Sequence, residues 1–153
     1  MRVIKYIVIH CSATRENQYV TEADIEKWHS TRFKKIGGKH IGYHFLIYTD
    51  GTIVKTKNLE HMGQHVSGAN SNSIGICYIG GLDKNGKSKD TRTPLQKAGL
   101  ISVLVELRKI LPSAKILGHR DFSPDKNGNG IIEPWEYVKD CPCFNAIPEY
   151  THI

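Results

Sequence analysis

Two imidazoles and a thiolate stand where a folded chain often gathers chemistry. His10 ends the apolar run VIKYIVIH, His119 ends AKILGH, and Cys141 follows in VKDCPCF. The ends of strands in an open α/β sheet are where binding sites collect. Two nitrogens and one sulfur suit Zn²⁺, and three protein ligands leave a fourth position free, the arrangement of a catalytic zinc. Spacing alone does not decide. No two of the three are close in sequence, and a histidine at a strand end can equally be a packing residue. Cys11, Cys77, Cys141 and Cys143 are too few and scattered for a disulfide framework. A reduced thiol or a metal ligand is the better reading of them.

A second metal pattern lies between His119 and Cys141. Counted from Asp125, DKNGNGIIEPWE has Asp125 at position 1, Asn127 at 3, Asn129 at 5, Gly130 at 6 and Glu136 at 12. Ile131 at 7 would offer its carbonyl, and Glu133 at 9 could act through water. This is the full EF-hand loop pattern for Ca²⁺. The flanks lack the paired helices: FSP cannot form the entering one, although EPWEYV could begin a short exit. Two Asn in place of Asp lower the ligand charge and so the affinity. The expectation is a structural calcium loop of modest affinity, inserted at about 125–136; the bland reading is a polar turn.

The elements that must position these residues follow from periodicity. Residues 3–10 are a β-branched run, expected as a strand buried on both faces. Thr21 and Asp24 open a helix expected over 22–33, with Ile25, Trp28, His29, Arg32 and Phe33 at helical spacing. YHFLIYTDGTIVKT alternates around Asp50-Gly51, a hairpin signal. SIGICYIGG (73–81) reads as another strand. Thr93-Pro94-Leu95-Gln96 starts a long amphipathic helix to Leu111, stopped by Pro112. AKILGH (114–119) is a last strand. The order predicts an α/β fold: one mixed central sheet flanked by helices.

At 153 residues the chain fits one domain, expected over 1–153. A net charge of +6 favours an anionic partner without choosing among nucleic acid, acidic membrane and wall polymer. MRVIKYIVIHC has no small-residue cleavage site, so synthesis in the cytoplasm without a signal peptide is expected. The apolar stretch AGLISVLV stops at Glu106, far short of a membrane span.

IVIHCSAT, IGYHFLIYTDGTI, NSIGICYIGG, ILGHRDF and KDCPCF, in that order, resemble the zinc N-acetylmuramoyl-L-alanine amidases, the family of the phage lysozyme-type amidases and peptidoglycan recognition proteins. The likeness runs from about residue 3 to residue 144. It implies that His10, His119 and Cys141 bind zinc, and that Tyr43 and Lys139 belong to the catalytic apparatus. A bound zinc polarises a carbonyl and brings the pKa of water to about 7. Lys139 would donate to the developing oxyanion, and Tyr43 would orient water or shuttle a proton. His65 and Asn72 match a loop that borders the family's substrate groove. The implied reaction is cleavage of the amide between the lactyl group of N-acetylmuramic acid and L-alanine in peptidoglycan. The partner is then the bacterial wall, with no nucleic acid or membrane, and the chain is expected to act as a monomer.

Neighbouring residues admit other roles. Cys143 lies two positions after Cys141, where the family often has Ser; on an extended loop the two sulfurs would point oppositely. Cys11 should face away from His10, into the core. His29 and His44 read as packing residues. Arg120 and Asp121 could support His119 or form a surface ion pair. Two rival classes remain: a peptidoglycan-binding module without activity, and a calcium-dependent interaction protein using the basic loop 32–39.

Overall fold

The computed structural model describes residues 2–153. Ten regular elements follow in order: β1 (Tyr6–Cys11), β2 (Thr14–Arg15), α1 (Glu22–Ser30), β3 (Phe45–Ile47), β4 (Ile53–Lys55), β5 (Ser73–Tyr78), β6 (Gly81–Leu82), α2 (Pro94–Ile110), β7 (Lys115–Gly118) and α3 (Ala146–Tyr150). Single 3₁₀ turns occupy Asn70–Asn72, His119–Phe122 and Pro134–Glu136. The main sheet runs β4-β3-β5-β1-β7, parallel except for the β3–β4 hairpin. This is the mixed α/β sheet that the sequence pattern predicts. The two-residue strands β2 and β6 pair separately and carry no periodic signal in sequence.

β1 sits between β5 and β7, which pair with both its edges, and both its faces are covered as well. Ile7, Ile9 and Cys11 join Ile74, Ile76 and Tyr78 of β5 against Leu100, Val103, Leu104 and Leu107 of α2. On the other face Leu46 and Cys77 meet Ile25 of α1, while Val8 packs on Val66 and Ala69. His10 lies one residue from Ile9 and Cys11 in this alternation, so its ring faces away from α2, with Val8. Burying these side chains stabilises the sheet by roughly 1.5–3 kcal/mol each.

Both long helices start as their sequences indicate. Asp24 accepts the Thr21 amide at 2.8 Å, and Thr93 and Gln96 exchange hydrogen bonds at 3.0 and 3.1 Å. α1 stops at Ser30, three residues before the expected end. The amides of Arg32 and Phe33 both turn back to the His29 carbonyl, and the chain then reverses at Gly37 and Gly38, where φ is +63° and +85°. Glycine occupies that left-handed region without strain. Arg32 and Phe33 are thereby released from the helix to line a cleft.

Candidate active site

The register of β1 against β7 creates the site. Ile9 pairs with Gly118 in two parallel neighbours, so the next residues, His10 and His119, emerge side by side at the carboxyl ends of the strands. Their ring centroids are 4.7 Å apart. Cys141 reaches the same point from its loop, its sulfur 3.8 Å from His10 Nδ1. One donor atom from each of His10, His119 and Cys141 lies within 4.8 Å of the others. Among the described residues no other trio of His, Cys, Asp or Glu makes such a group.

The loop bearing Cys141 is anchored on several sides. The Arg120 amide donates to the Cys141 carbonyl at 2.8 Å, and Tyr78 Oη donates to the Pro142 carbonyl at 2.7 Å. The Cys11 amide donates to Cys141 Sγ at 3.3 Å. Cys143 turns the other way, its sulfur 3.8 Å from that of Cys11. The loop is not extended there: Cys143 has φ +70°, so a local turn, not strand alternation, separates the two thiols.

Electrostatics keep the imidazoles neutral. Burial, then the nearby His65, His119 and Lys139, holds His10 well below its usual pKa. His119 is brought down to about 4 by burial and by Lys139. A neutral imidazole has a free lone pair, which metal binding requires. Two nitrogens and a sulfur at this separation are a donor set that fits Zn²⁺.

The Tyr43 ring packs beside that of His10, tilted by 50° with centroids 5.1 Å apart, and burial raises its hydroxyl well above the usual range, so it remains a proton donor. Lys139 is exposed at the rim, beside His119. A cleft of about 470 Å³ opens from this point, with Arg32 and Phe33 on one side and Val138 and Lys139 among its other lining residues. Its lining includes no carboxylate.

The other residues singled out in sequence fall in three groups. His65 is 8% exposed; it touches the cleft but lies mainly behind His10, with its Nδ1 2.9 Å from His10 Nε2. Asn72 does not line the cleft, whereas Asn70 does. The 3₁₀ turn over Asn70–Asn72 sends residues two apart to different sides, which the repeated Asn in GANSNS could not reveal. His29 and His44 are buried acceptors, for Gly42 and Gly75 amides at 3.0 Å each. Asp121 accepts the Gly118 amide at 2.7 Å and so braces the turn that begins at His119, while Arg120 lies over the Tyr137 ring and donates to Asn145; the two side chains form no ion pair with each other.

The loop 125–136 folds around its own polar groups. Asp125 accepts the Gly128 and Gly130 amides at 2.6 and 2.7 Å, and Asn127 and Asn129 accept those of Asn129 and Ile131 at 3.0 and 2.8 Å. Buried Glu136 accepts the Lys126 and Glu133 amides at 2.6 and 2.8 Å. Its carboxylates do not converge into a three-donor cluster. The Val138 amide donates to Ser123 Oγ at 3.0 Å and closes the loop at its base, beside Lys139.

An open α/β sheet with a His-His-Cys donor set at its carboxyl edge, beside a tyrosine and a lysine, defines the class. The chain belongs to the N-acetylmuramoyl-L-alanine amidase family, whose sequence model matches residues 1–142. It is 39% identical over 127 residues to an endolysin of Enterobacteria phage K11, covering 83% of this chain and 82% of that one. The endolysin of Escherichia phage T7 is 39% identical over 129 residues, 84% and 83% of the two chains. Among solved structures, the amidase LysC from Clostridium intestinale superposes with TM-score 0.70 at 25% identity, covering 95% of this chain and 80% of that one. Drosophila PGRP-LB shares the fold, with TM-score 0.69 at 22% identity over 99% and 82% of the chains.

Proposed function

We propose that this protein is a peptidoglycan amidase that depends on zinc and hydrolyses the amide between the lactyl group of N-acetylmuramic acid and L-alanine. The observation that carries the reading is the meeting of His10, His119 and Cys141 at the floor of a cleft walled by Lys139 and Tyr43. Zinc held by those three residues would leave one position open and supply Lewis acidity toward the reacting carbonyl and water.

The chain's own groups account for the remaining needs of amide hydrolysis. Lys139 places an ammonium where negative charge develops, a contribution of about 3 kcal/mol to the barrier in comparable sites. Tyr43 keeps its proton, and its ring lies beside that of His10. His10 and His119 remain uncharged, so neither repels a cation. Arg32 and Lys139, with no facing carboxylate, suit the acidic stem peptide of a bacterial wall polymer. No helix among the described residues is long and apolar enough to cross a membrane, and we place the site of action at the wall.

The test is digestion of purified peptidoglycan by the full chain. New L-alanine amino termini without new reducing sugar ends are expected, lost on chelation and restored by zinc. Binding to the wall without new termini would instead make it a recognition module. We further propose that Asp125, Asn127, Asn129, Ile131 and Glu136 hold a structural Ca²⁺, on the strength of the twelve-residue pattern. A calcium there would order the loop that leads into Lys139 and Cys141.

A further inference from the structure

His10 Nε2 lies 2.9 Å from His65 Nδ1, and His65 Nε2 lies 3.2 Å from Ser73 Oγ. Ser73 Oγ in turn lies 2.7 Å from the Ala69 carbonyl oxygen. All three side chains are buried: His10 is 1% exposed, His65 8% and Ser73 0%. Three hydrogen bonds therefore run in series from the donor cluster into the interior.

The direction of the chain is fixed at its inner end. A carbonyl can only accept, so the single hydroxyl hydrogen of Ser73 points at Ala69. Ser73 Oγ can then meet His65 Nε2 only as an acceptor, which places the His65 proton on Nε2. A neutral imidazole carries one proton, so His65 Nδ1 is a bare lone pair. It must accept from His10, which puts the His10 proton on Nε2 and leaves Nδ1 free. That free nitrogen is the one facing Cys141 Sγ at 3.8 Å. The opposite polarity would set two lone pairs against each other at Ser73 and Ala69, inside a site with no exposure to relieve them.

We infer that Ser73 and His65 are positioning residues: a one-way hydrogen-bond relay that locks His10 in the tautomer presenting Nδ1 to a metal. The backbone supports the relay. The Asn70 side-chain oxygen accepts the His65 and Val66 amides at 2.8 Å each, and Gly75 leaves room for the His65 ring. Outer partners of this kind orient a ligating histidine and set its basicity. Ser73 itself touches neither the donor cluster nor the cleft, so its effect is transmitted through two rings. The inference rests on the zinc reading for its purpose but not for its geometry.

The deciding experiment is long-range ¹⁵N–¹H NMR of the imidazoles in the zinc-free full chain at neutral pH, followed by titration with zinc alone. His10 and His65 are both expected to carry the proton on Nε2; a His10 proton on Nδ1 overturns the relay. Ser73→Ala removes the acceptor at the inner end. It should give mixed tautomers at His10 and weaken zinc binding roughly 10- to 100-fold with the amide spectrum retained. Unchanged tautomers and affinity in that variant would also overturn it. If wild-type chain shows the expected tautomers yet takes up no zinc, the relay stands and the zinc reading falls. If it binds zinc with His10 protonated on Nδ1 beforehand, the reverse holds. Should Ser73→Ala fail to fold, the wild-type spectrum still decides.

Discussion

His10 Nδ1 and Cys141 Sγ lie 3.8 Å apart although 131 positions separate them in the chain. Nothing local holds them together. β1 fixes one in the middle of the sheet, and the Arg120–Cys141 and Tyr78–Pro142 hydrogen bonds fix the other. The two thiols of VKDCPCF therefore have different neighbours, and substitution should separate their roles.

Cys141→Ser is expected to lose bound zinc and to reduce wall hydrolysis by at least roughly 100-fold, since removing an outer partner alone already weakens metal binding 10- to 100-fold. Cys143→Ser should keep both, because its sulfur faces Cys11 and the Gly81 carbonyl. Metal analysis beside an activity assay checks the pair. Loss of zinc and activity in Cys143→Ser, with both retained in Cys141→Ser, would mean the wrong cysteine has been assigned.

Lys139 is exposed and supports no packing, so Lys139→Met should leave the fold intact. Loss of an oxyanion donor reduces kcat by about 10²- to 10³-fold. The zinc content should not change. A variant that retains full kcat would remove Lys139 from the chemistry.

The sheet was legible because its signals are local: the β-branched run of β1, the Asp50-Gly51 turn, and the Thr93-Pro94 cap each reside in a few adjacent residues. The proximity of His10, His119 and Cys141 depends instead on parallel register, Ile9 against Gly118, which no periodicity encodes. The resemblance supplied it. Neither route distinguished Asn70 from Asn72, nor showed that His65 backs His10, since both depend on which way a turn sends a side chain. Ser73 carries no functional signal in sequence, because a serine at a strand start has an ordinary structural explanation. The Arg32–Phe33 cleft wall was hidden by helical spacing that the chain abandons at Ser30.

Gly75 tests the packing behind His65. A Cβ built there would sit 2.8 Å from His65 Cγ and Cδ2, closer than carbon atoms tolerate. Both groups are enclosed by the sheet, so the ring must shift. Gly75→Ala is expected to destabilise the fold by about 1–3 kcal/mol, as overpacked cores do. Urea unfolding measures this directly. An undiminished midpoint would show that the ring has room to move.

The loop at 125–136 already satisfies its own amides through Asp125 and Glu136. Calcium binding should therefore add stability without a large change of shape. At a concentration 100 times Kd, the gain would be about 2.7 kcal/mol, or about 5–11 °C in Tm for a chain of this size. Thermal unfolding of zinc-loaded, calcium-free protein with added Ca²⁺ is the measurement, with Asp125→Asn as control. If Tm does not move, DKNGNGIIEPWE is a metal-free turn.

Buried neutral histidines make the zinc-free fold sensitive to acid. His44 is held down to about 4 and His65 to about 3, each chiefly by burial. Their unfolded counterparts titrate near 6.5. Between pH about 6.5 and about 4 the unfolded chain takes up protons that the folded chain refuses, so stability falls as pH falls. The contribution is fully present above the unfolded value and is lost as the folded value is crossed. For His44 alone it is on the order of 3 kcal/mol. His44→Gln cannot titrate, so its unfolding free energy should lose about 1.4 kcal/mol per pH unit less than wild type across that window. Parallel pH profiles for the two proteins would show that His44 is protonated in the folded chain.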